Sequence, residues 1–567
     1  MIVKTQRRFL PDKLKVTGWD VIAPYFNQLL DRNIENTQQL EDWLKDRSEL
    51  EAFLSEDLAW RYVRMTCDTE NKELEQAYLF FVTEIEPKVA PYIDKLNKKL
   101  VGCPHIDSLN GEGYGVYLRG IKKEIEIFRE ANVPLLAEIA AESQKYGATV
   151  GSLMVEMEGK ELTLQQAANF LKHPNRNTRE QAFIKIQEKR LEKAAELDAL
   201  FDRLIALRHQ VAINAGFENY RDYMFAAMGR FDYTPDDCFA FHEAVRSEVL
   251  PLVKQIVQNR QQQLGHTLRP WDMEVDTKNR PALEPFTSGA DLLDKTVKCF
   301  RKVDDYFAWC IETMDELNRL DLESRKGKAP GGYNYPMAET GVPFIFMNAA
   351  SSTRDVETMV HEGGHAVHSF LSKDLPLGAF KNCPSEVAEL ASMSMELISY
   401  EGQDEFYRTP EDFNRAKQEH LEGIIKILPW IATIDKFQHW LYTNPTHTAE
   451  QRKAYWMQLS QEFGTGMVDW TGLEHIQAYT WQKQLHLFEV PFYYIEYGMA
   501  QLGALAVWRN FLANKPLAII QYKQALALGY TKPIGEIYQT AGISFDFSAA
   551  YIRSLMQFVQ AELQKIS

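Results

Sequence analysis

The sequence predicts a mainly α-helical protein with a small β component, and three observations carry that expectation. Apolar residues recur three and four apart along much of the chain, β-type patterns are confined to two short segments, and hydrophobic residues make up 45% of 567, enough for a large core. No internal repeat or low-complexity tract interrupts the pattern. In the first hundred residues Leu40, Trp43 and Leu44 form one apolar stripe. Leu74, Ala77, Phe81 and Ile85 form another, expected to close near Pro87. These segments read as one wall of a helical body.

Residues 152–162 read as a hairpin about Glu158-Gly159, and Thr163 with Gln166 as a capping box opening the next helix. From Thr178 to Ala215 the apolar stripe Leu191, Leu197, Leu200, Leu204, Leu207 and Val211 predicts a single long helix stopped by Gly216, a spine between two lobes. Thr234-Pro-Asp-Asp237 caps another helix, with Pro235 in its first turn. Between about 262 and 290, Arg269-Pro-Trp-Asp272, Pro281, Pro285 and Gly289 break the helical rhythm, and a long surface segment is expected. Ser324 to Tyr333 reads as a flexible basic turn. Val342-Pro-Phe-Ile-Phe-Met-Asn348 is the best strand outside the hairpin, and Pro343 suits an edge. Such an edge, with Phe346 in it, could pair with an extended peptide.

The formal net charge of −16 argues against a nucleic-acid surface. Met1 to Asp12 lacks an apolar signal region, and no apolar run approaches the 18 residues of a membrane span, so a soluble cytoplasmic protein is expected. The six cysteines are scattered without a Cys-x-x-Cys pair and are expected to be reduced. Cys383 lies close enough in sequence to Glu389 to sit near a site there and confer thiol sensitivity.

The chemistry is concentrated between Thr353 and Phe370, which contains His361-Glu362-Gly-Gly-His365. Four residues on a helix advance about 6 Å and turn a little over one revolution, so both imidazoles can share one metal. Glu362 then stands beside the metal, free to handle a proton. With 13 histidines in the chain, a chance match to this pattern has odds of roughly two in a hundred. Gly363 and Gly364 each cost a helix interior about 1 kcal/mol relative to Ala, so a close approach of backbone or substrate is expected at them. His368 lies roughly 10 Å along the helix from His361, too far for the same ion, and reads as a packed or bracing histidine. The His-x-x-x-His-x-x-Gly-x-x-His pattern is absent.

A third ligand must come from elsewhere. Ser385 to Glu396 reads as a second packed helix in which Glu386, Glu389 and Glu396 share a stripe, and a buried carboxylate there calls for a cation. Spacing leaves all three glutamates open, with Asp374 a weaker competitor. Farther on, Trp481 to Gln501 is rich in tyrosine. Pro491 fits a first helical turn, Tyr494 and Tyr497 are i,i+3 neighbours, and Tyr493 falls one turn before Tyr497. Such a stripe is ordinarily core, but an oxyanion formed during amide hydrolysis needs donors, and tyrosine hydroxyls can supply them.

On Val356-Glu-Thr-Met-Val-His-Glu-Gly-Gly-His-Ala-Val-His368 and Val387-Ala-Glu-Leu-Ala-Ser392 the sequence resembles the thimet oligopeptidase and oligoendopeptidase F group of zinc metallopeptidases, especially its Pz-peptidase-like bacterial members. The resemblance spans roughly residues 170–560. It implies a two-lobed helical body with a deep channel, one Zn²⁺ per chain held by His361, His365 and Glu389, and Glu396 steadying an imidazole. It also implies that Tyr497, Tyr494 and His486 bind substrate and stabilise the intermediate; Tyr493, from its spacing, and Phe346, from its strand, are expected as further peptide contacts. Gly363 departs from the aromatic often found at that position. The expected division is an N-terminal helical lobe over 1–200 and a catalytic region over 201–567. The expected activity is hydrolysis of internal bonds in short unfolded peptides. The alternatives are a dipeptidase or carboxypeptidase, or a non-catalytic peptide-binding protein.

Overall fold

Most of the chain is helical in the computed structural model, which describes residues 7–329 and 331–566. Residues 1–6, the start of the stretch read for a leader, lie outside the described residues, as does Pro330 in the basic turn. Two apolar cores divide the molecule. One is built from residues between Leu10 and Ile121 and is closed by Leu377 and Phe380; the other, much larger, runs from Ile139 to Val559. Trp43 anchors the first, its indole N–H donating to the Leu29 carbonyl. No helix among the described residues is long and apolar enough to cross a membrane.

The expected helical wall is present, with one correction. Pro87 does not close a helix. It sits in the first turn of Glu86–Val101, where its missing N–H costs nothing, and a π-helical turn at Phe81–Ile85 absorbs the join to Lys72–Phe80. The hairpin is formed by β1 (Met154–Met157) and β2 (Lys160–Thr163), with Glu158 and Gly159 both left-handed as a tight two-residue turn requires. The Thr163 and Thr234 capping boxes both form.

The single spine helix is corrected to two, α1 (Arg176–Leu191) and α2 (Ala194–Ala215). The break has a packing cause. Ala182 and Ile186 of α1 are buried against the hairpin, whereas the stripe from Leu197 onward belongs to the large core, and one straight rod could not serve both. The 262–290 segment is irregular, but it is not merely surface. Trp271 and Asp272 are buried, and Arg176 and Arg179 of α1 clamp the Asp272 carboxylate at 2.7 and 2.8 Å. The basic turn is likewise tied down, since Arg325 and Lys328 both pair with Asp321.

The elements that carry the site follow: α3 (Pro235–Ala244), α4 (Gly289–Val303), α5 (Thr353–Ser372), α6 (Ser385–Ile398), α7 (Pro410–Thr443) and α8 (Tyr494–Ala513). A small sheet precedes α5, made of β3 (Leu320–Glu323), β4 (Tyr333–Tyr335) and β5 (Phe344–Ala349) in the order β3-β5-β4. The pairing is parallel between β3 and β5 and antiparallel between β4 and β5. The expected exposed edge is therefore overturned, because β5 is the central strand. Its continuous apolar run is what a strand buried on both faces shows.

Candidate metal centre

Helix α5 begins where Ser352 and Asp355 cap each other's backbone N–H groups, and it buries Val356, Met359, Val360, Val367 and Phe370. That apolar face fixes its rotation and turns His361 and His365 toward α6, their rings 4.9 Å apart between centroids. Glu389 of α6 meets them, with its Oε2 3.4 Å from His361 Nε2 and 3.9 Å from His365 Nε2. Zinc bonds of about 2.1 Å in a tetrahedron would place donor atoms about 3.4 Å apart, so these three side chains fit one ion. The donor set is nitrogen and oxygen, which suits a divalent transition metal.

Close helix packing makes this convergence possible. A Cβ on Gly364 would lie 2.6 Å from Ser392 Cα and 2.8 Å from the Ala391 carbonyl oxygen, so α5 and α6 touch backbone to backbone. The Gly363 Cβ position is taken by the Phe300 ring of α4, 2.7 Å away.

Two of the donors, His361 and Glu389, are braced from a distance. His361 Nδ1 bonds Glu396 Oε1 at 2.6 Å, Glu396 Oε2 bonds His420 Nε2 at 2.9 Å, and His420 Nδ1 meets the Tyr400 hydroxyl at 2.6 Å. Tyr493 donates to Glu389 Oε1 at 3.1 Å, and Asn334 of β4 donates to the Glu362 carbonyl at 3.0 Å. Burial would push the Glu389 and Glu396 carboxyls up. The imidazoles bonded to them outweigh it and hold both at about 2. His365 is pushed down to about 4 by burial, leaving a neutral imidazole with a free lone pair. The Glu362 carboxyl, buried beside Glu389 and Glu396, is pushed up to about 7.

His361, Glu362 and Glu396 line a cavity of about 930 Å³ whose other walls include His486, Tyr494 and Tyr497. His486 is held by Gln484 Nε2 at 2.7 Å and packs on Tyr494 and Tyr497, with centroids 4.8 and 5.9 Å away. Burial lowers its pKa to about 4 and raises that of the Tyr497 hydroxyl, so at neutral pH His486 is an uncharged imidazole and Tyr497 a proton donor.

The sequence-predicted residues separate accordingly. His361, His365, Glu389, Glu362, Glu396, Tyr497, Tyr494 and His486 come together. Tyr493 is also present, but its hydroxyl holds Glu389 rather than facing an incoming peptide. Phe346 does not belong to the cavity: it is fully buried in the central strand and stacked on Tyr333 at 4.8 Å. His368 braces none of the donors. Its Nε2 faces the Cys383 thiol at 3.4 Å, and burial pushes that thiol up to about 12. Glu386 turns away to Tyr233 at 2.6 Å, and Asp374 is an exposed partner of Lys373. Pro491 precedes α8 instead of opening it, followed by a left-handed Phe492. His420, Tyr400 and Asn334 were not found by sequence reasoning, since none has a spacing relation to the motif.

Fold and site together define a mainly helical protein with a three-donor centre at the wall of a large cavity. The chain belongs to peptidase family M3: the profile of that family matches residues 169–557, and the profile of the Peptidase M3 N-terminal domain matches residues 9–128. The kinship therefore extends well before residue 170. Oligopeptidase PepF of Bacillus subtilis (strain 168) is 23% identical over 401 residues, covering 68% of this chain and 56% of that protein. The plasmid oligoendopeptidase F of Lactococcus lactis subsp. cremoris is 25% identical over 188 residues, 33% of this chain and 30% of that protein. The matches thus span about half or less of these relatives' lengths. Among solved structures, PZ peptidase A with an inhibitor superposes with a TM-score of 0.90 at 25% identity, over 98% of this chain and 99% of that one. Oligoendopeptidase-F from Enterococcus faecium shares the fold at a TM-score of 0.64, with 15% identity over 97% of each chain.

Proposed function

We propose that this chain is a cytoplasmic zinc-dependent oligopeptidase that cuts internal bonds of short unfolded peptides. The observation that carries the reading is the convergence of His361, His365 and Glu389 on one point beside the buried Glu362. One zinc held there would polarise a peptide carbonyl and bring the pKa of a water toward neutrality. Glu362 accepts the proton of the attacking water and returns it to the leaving amine, and a carboxyl near 7 is matched to both transfers. Tyr497 donates its hydroxyl hydrogen to the carbonyl oxygen as negative charge grows on it, and His486 with Tyr494 orients the peptide. Glu396 and Tyr493 hold the imidazole and carboxylate donors in place.

The cavity has room for several residues of extended chain, which supports short peptides as substrates. The six unpaired cysteines support a reducing compartment. We also propose that residues 201–567 form the catalytic region and residues 1–200 the N-terminal lobe, a division supported by an apolar core drawn from residues 10–121 and closed by Leu377 and Phe380.

The test is Glu362→Gln. Zinc content should stay at wild-type level while turnover of an internally quenched peptide falls by roughly 10²- to 10⁴-fold, the usual worth of a positioned acid–base group. Near-normal cleavage by the variant would remove Glu362 from the reaction. Mass spectrometry of the products separates internal cleavage from trimming at either end.

A further inference from the structure

A second group of metal-ligating side chains lies between α3 and α7, outside the cavity. Cys238 and His242 are four residues apart on α3, and Asp435 and His439 are four apart on α7, so each pair shares a helix face. The two faces meet. Donor atoms of Cys238, Asp435 and His439 lie within 4.8 Å of one another, and all three residues are buried. Asp435 Oδ2 is 3.2 Å from His439 Nε2 and accepts from His242 Nε2 at 2.8 Å.

As an ordinary apolar interface this grouping is poorly satisfied. The Asp435 side chain is fully buried, and its ion-pair partners among the described residues are the two histidines, with no lysine or arginine. Asp435 Oδ1, His242 Nδ1 and His439 Nδ1 make no hydrogen bond to protein. Each such buried atom has given up water without a replacement and so weakens the fold. A divalent ion would supply the missing positive charge and give Asp435 and His439 a partner together. Burial holds Cys238 as a neutral thiol, so coordination would release its proton to solvent.

We propose that Cys238, Asp435 and His439 form a second, structural metal site, with His242 positioning the carboxylate. Sulfur and nitrogen donors select zinc or a similar transition metal over calcium or magnesium. The site would fasten α3 to α7 beside the turn that leads into α8, the helix of the cavity tyrosines. Gln438 accepts the Phe492 N–H at 2.6 Å, and the His439 ring packs on Phe492 at 5.5 Å, one residue from the Tyr493 that holds Glu389.

Full-length protein loaded with Co²⁺ and freed of excess tests this directly, because the His361, His365 and Glu389 set contains no sulfur. Wild type should hold two ions per chain and show a thiolate-to-cobalt charge-transfer band in the near ultraviolet. A His361→Ala, His365→Ala double variant should keep one ion and the whole band, and adding Cys238→Ser should abolish the band. The proposal is overturned if the folded double variant binds no cobalt, or if the band survives Cys238→Ser. Were wild type to hold one ion that Cys238→Ser removes and the double variant keeps, this site would stand and the catalytic reading would fall. A single ion lost only in the double variant would overturn this site and leave the catalytic reading standing.

Discussion

The contact between α5 and α6 makes a demand that one methyl group can test. In Gly364→Ala the new Cβ would sit 2.6 Å from Ser392 Cα, 2.8 Å from the Ala391 oxygen and 2.9 Å from Met395 Cβ. Carbon atoms pack at about 3.5–4.0 Å, so the helices must separate by about 1 Å, because two of the three obstacles are backbone. Overpacking of this kind costs about 1–3 kcal/mol, while replacing a mid-helix glycine returns about 1 kcal/mol. Global stability therefore changes little, and the effect concentrates on the donors. Glu389 lies 3.4 and 3.9 Å from the two imidazoles, and a further 1 Å takes both past the roughly 4.2 Å that two zinc bonds can span end to end. Zinc affinity, measured by chelator competition on reloaded protein, should fall at least 10-fold, about 1.4 kcal/mol. Gly363→Ala is the control. Its Cβ meets the Phe300 ring and Ile311, side chains that can yield, and affinity should stay near wild type. Wild-type zinc affinity in Gly364→Ala would refute the argument that backbone contact sets the donor distances.

Three other perturbations probe different links. Glu396→Gln replaces an acceptor shared by His361 and His420 with an amide that can accept on one side only, and zinc affinity should drop about 10- to 100-fold with the fold intact by circular dichroism. Tyr497→Phe should retain zinc and KM while kcat falls about 10²- to 10³-fold, and an unchanged kcat would remove the hydroxyl from the oxyanion. Asp272→Asn leaves the buried Arg179 guanidinium without its charge partner and should cost about 3–5 kcal/mol in urea unfolding. Burial alone would raise the Asp272 carboxyl, but bonds from Arg176, Arg179 and the Arg269 N–H hold it below the usual range. Its contribution is thus complete above about pH 4 and lost as pH falls through the lowered value, so wild type and Asp272→Asn should converge in stability in acid.

What could be read from sequence was whatever repeats at helical or turn spacing. His361, Glu362 and His365 are one turn apart, Thr163 and Thr234 stand three residues before their capping partners, and Glu158-Gly159 can form only a tight turn. Choosing Glu389 over Glu386 and Glu396 needed the family resemblance, because all three share a stripe and only packing decides which faces the histidines. Phe346 was misplaced because a proline beside a strand reads as an edge, whereas the unbroken apolar run Phe344 to Met347 was the better guide. The break at Glu192-Lys193 left no mark because both helices keep an apolar face, directed at different cores. Tyr493 was misread for a related reason: periodicity aligned it with Tyr497, but the turn at Phe492 aims its hydroxyl at Glu389.

The braces explain why so much of the centre escapes local reading. Two of the three donors are steadied from separate pieces of chain, His361 by Glu396 of α6, which α7 holds in turn, and Glu389 by the turn before α8, while the Glu362 carbonyl is held by β4. Helix α6 is held between α5 and α8, and a glycine permits the close approach on each side. Gly364 meets the α6 backbone, and a Cβ on Gly503 of α8 would come within 2.7 Å of Leu390. The obstacle at Gly503 is a side-chain methyl that can yield, whereas the obstacles at Gly364 are backbone, so the α5 contact is the one that sets the Glu389 carboxylate. The charges need this confinement. The buried Glu389 and the partly buried Glu396 pair with three histidines and with no lysine or arginine among the described residues, and only fixed geometry lets so few partners satisfy them. A loosened α6 would admit water and let those carboxylates trade the histidines for solvent, so loss of metal should precede loss of fold in any variant that widens its contact with α5.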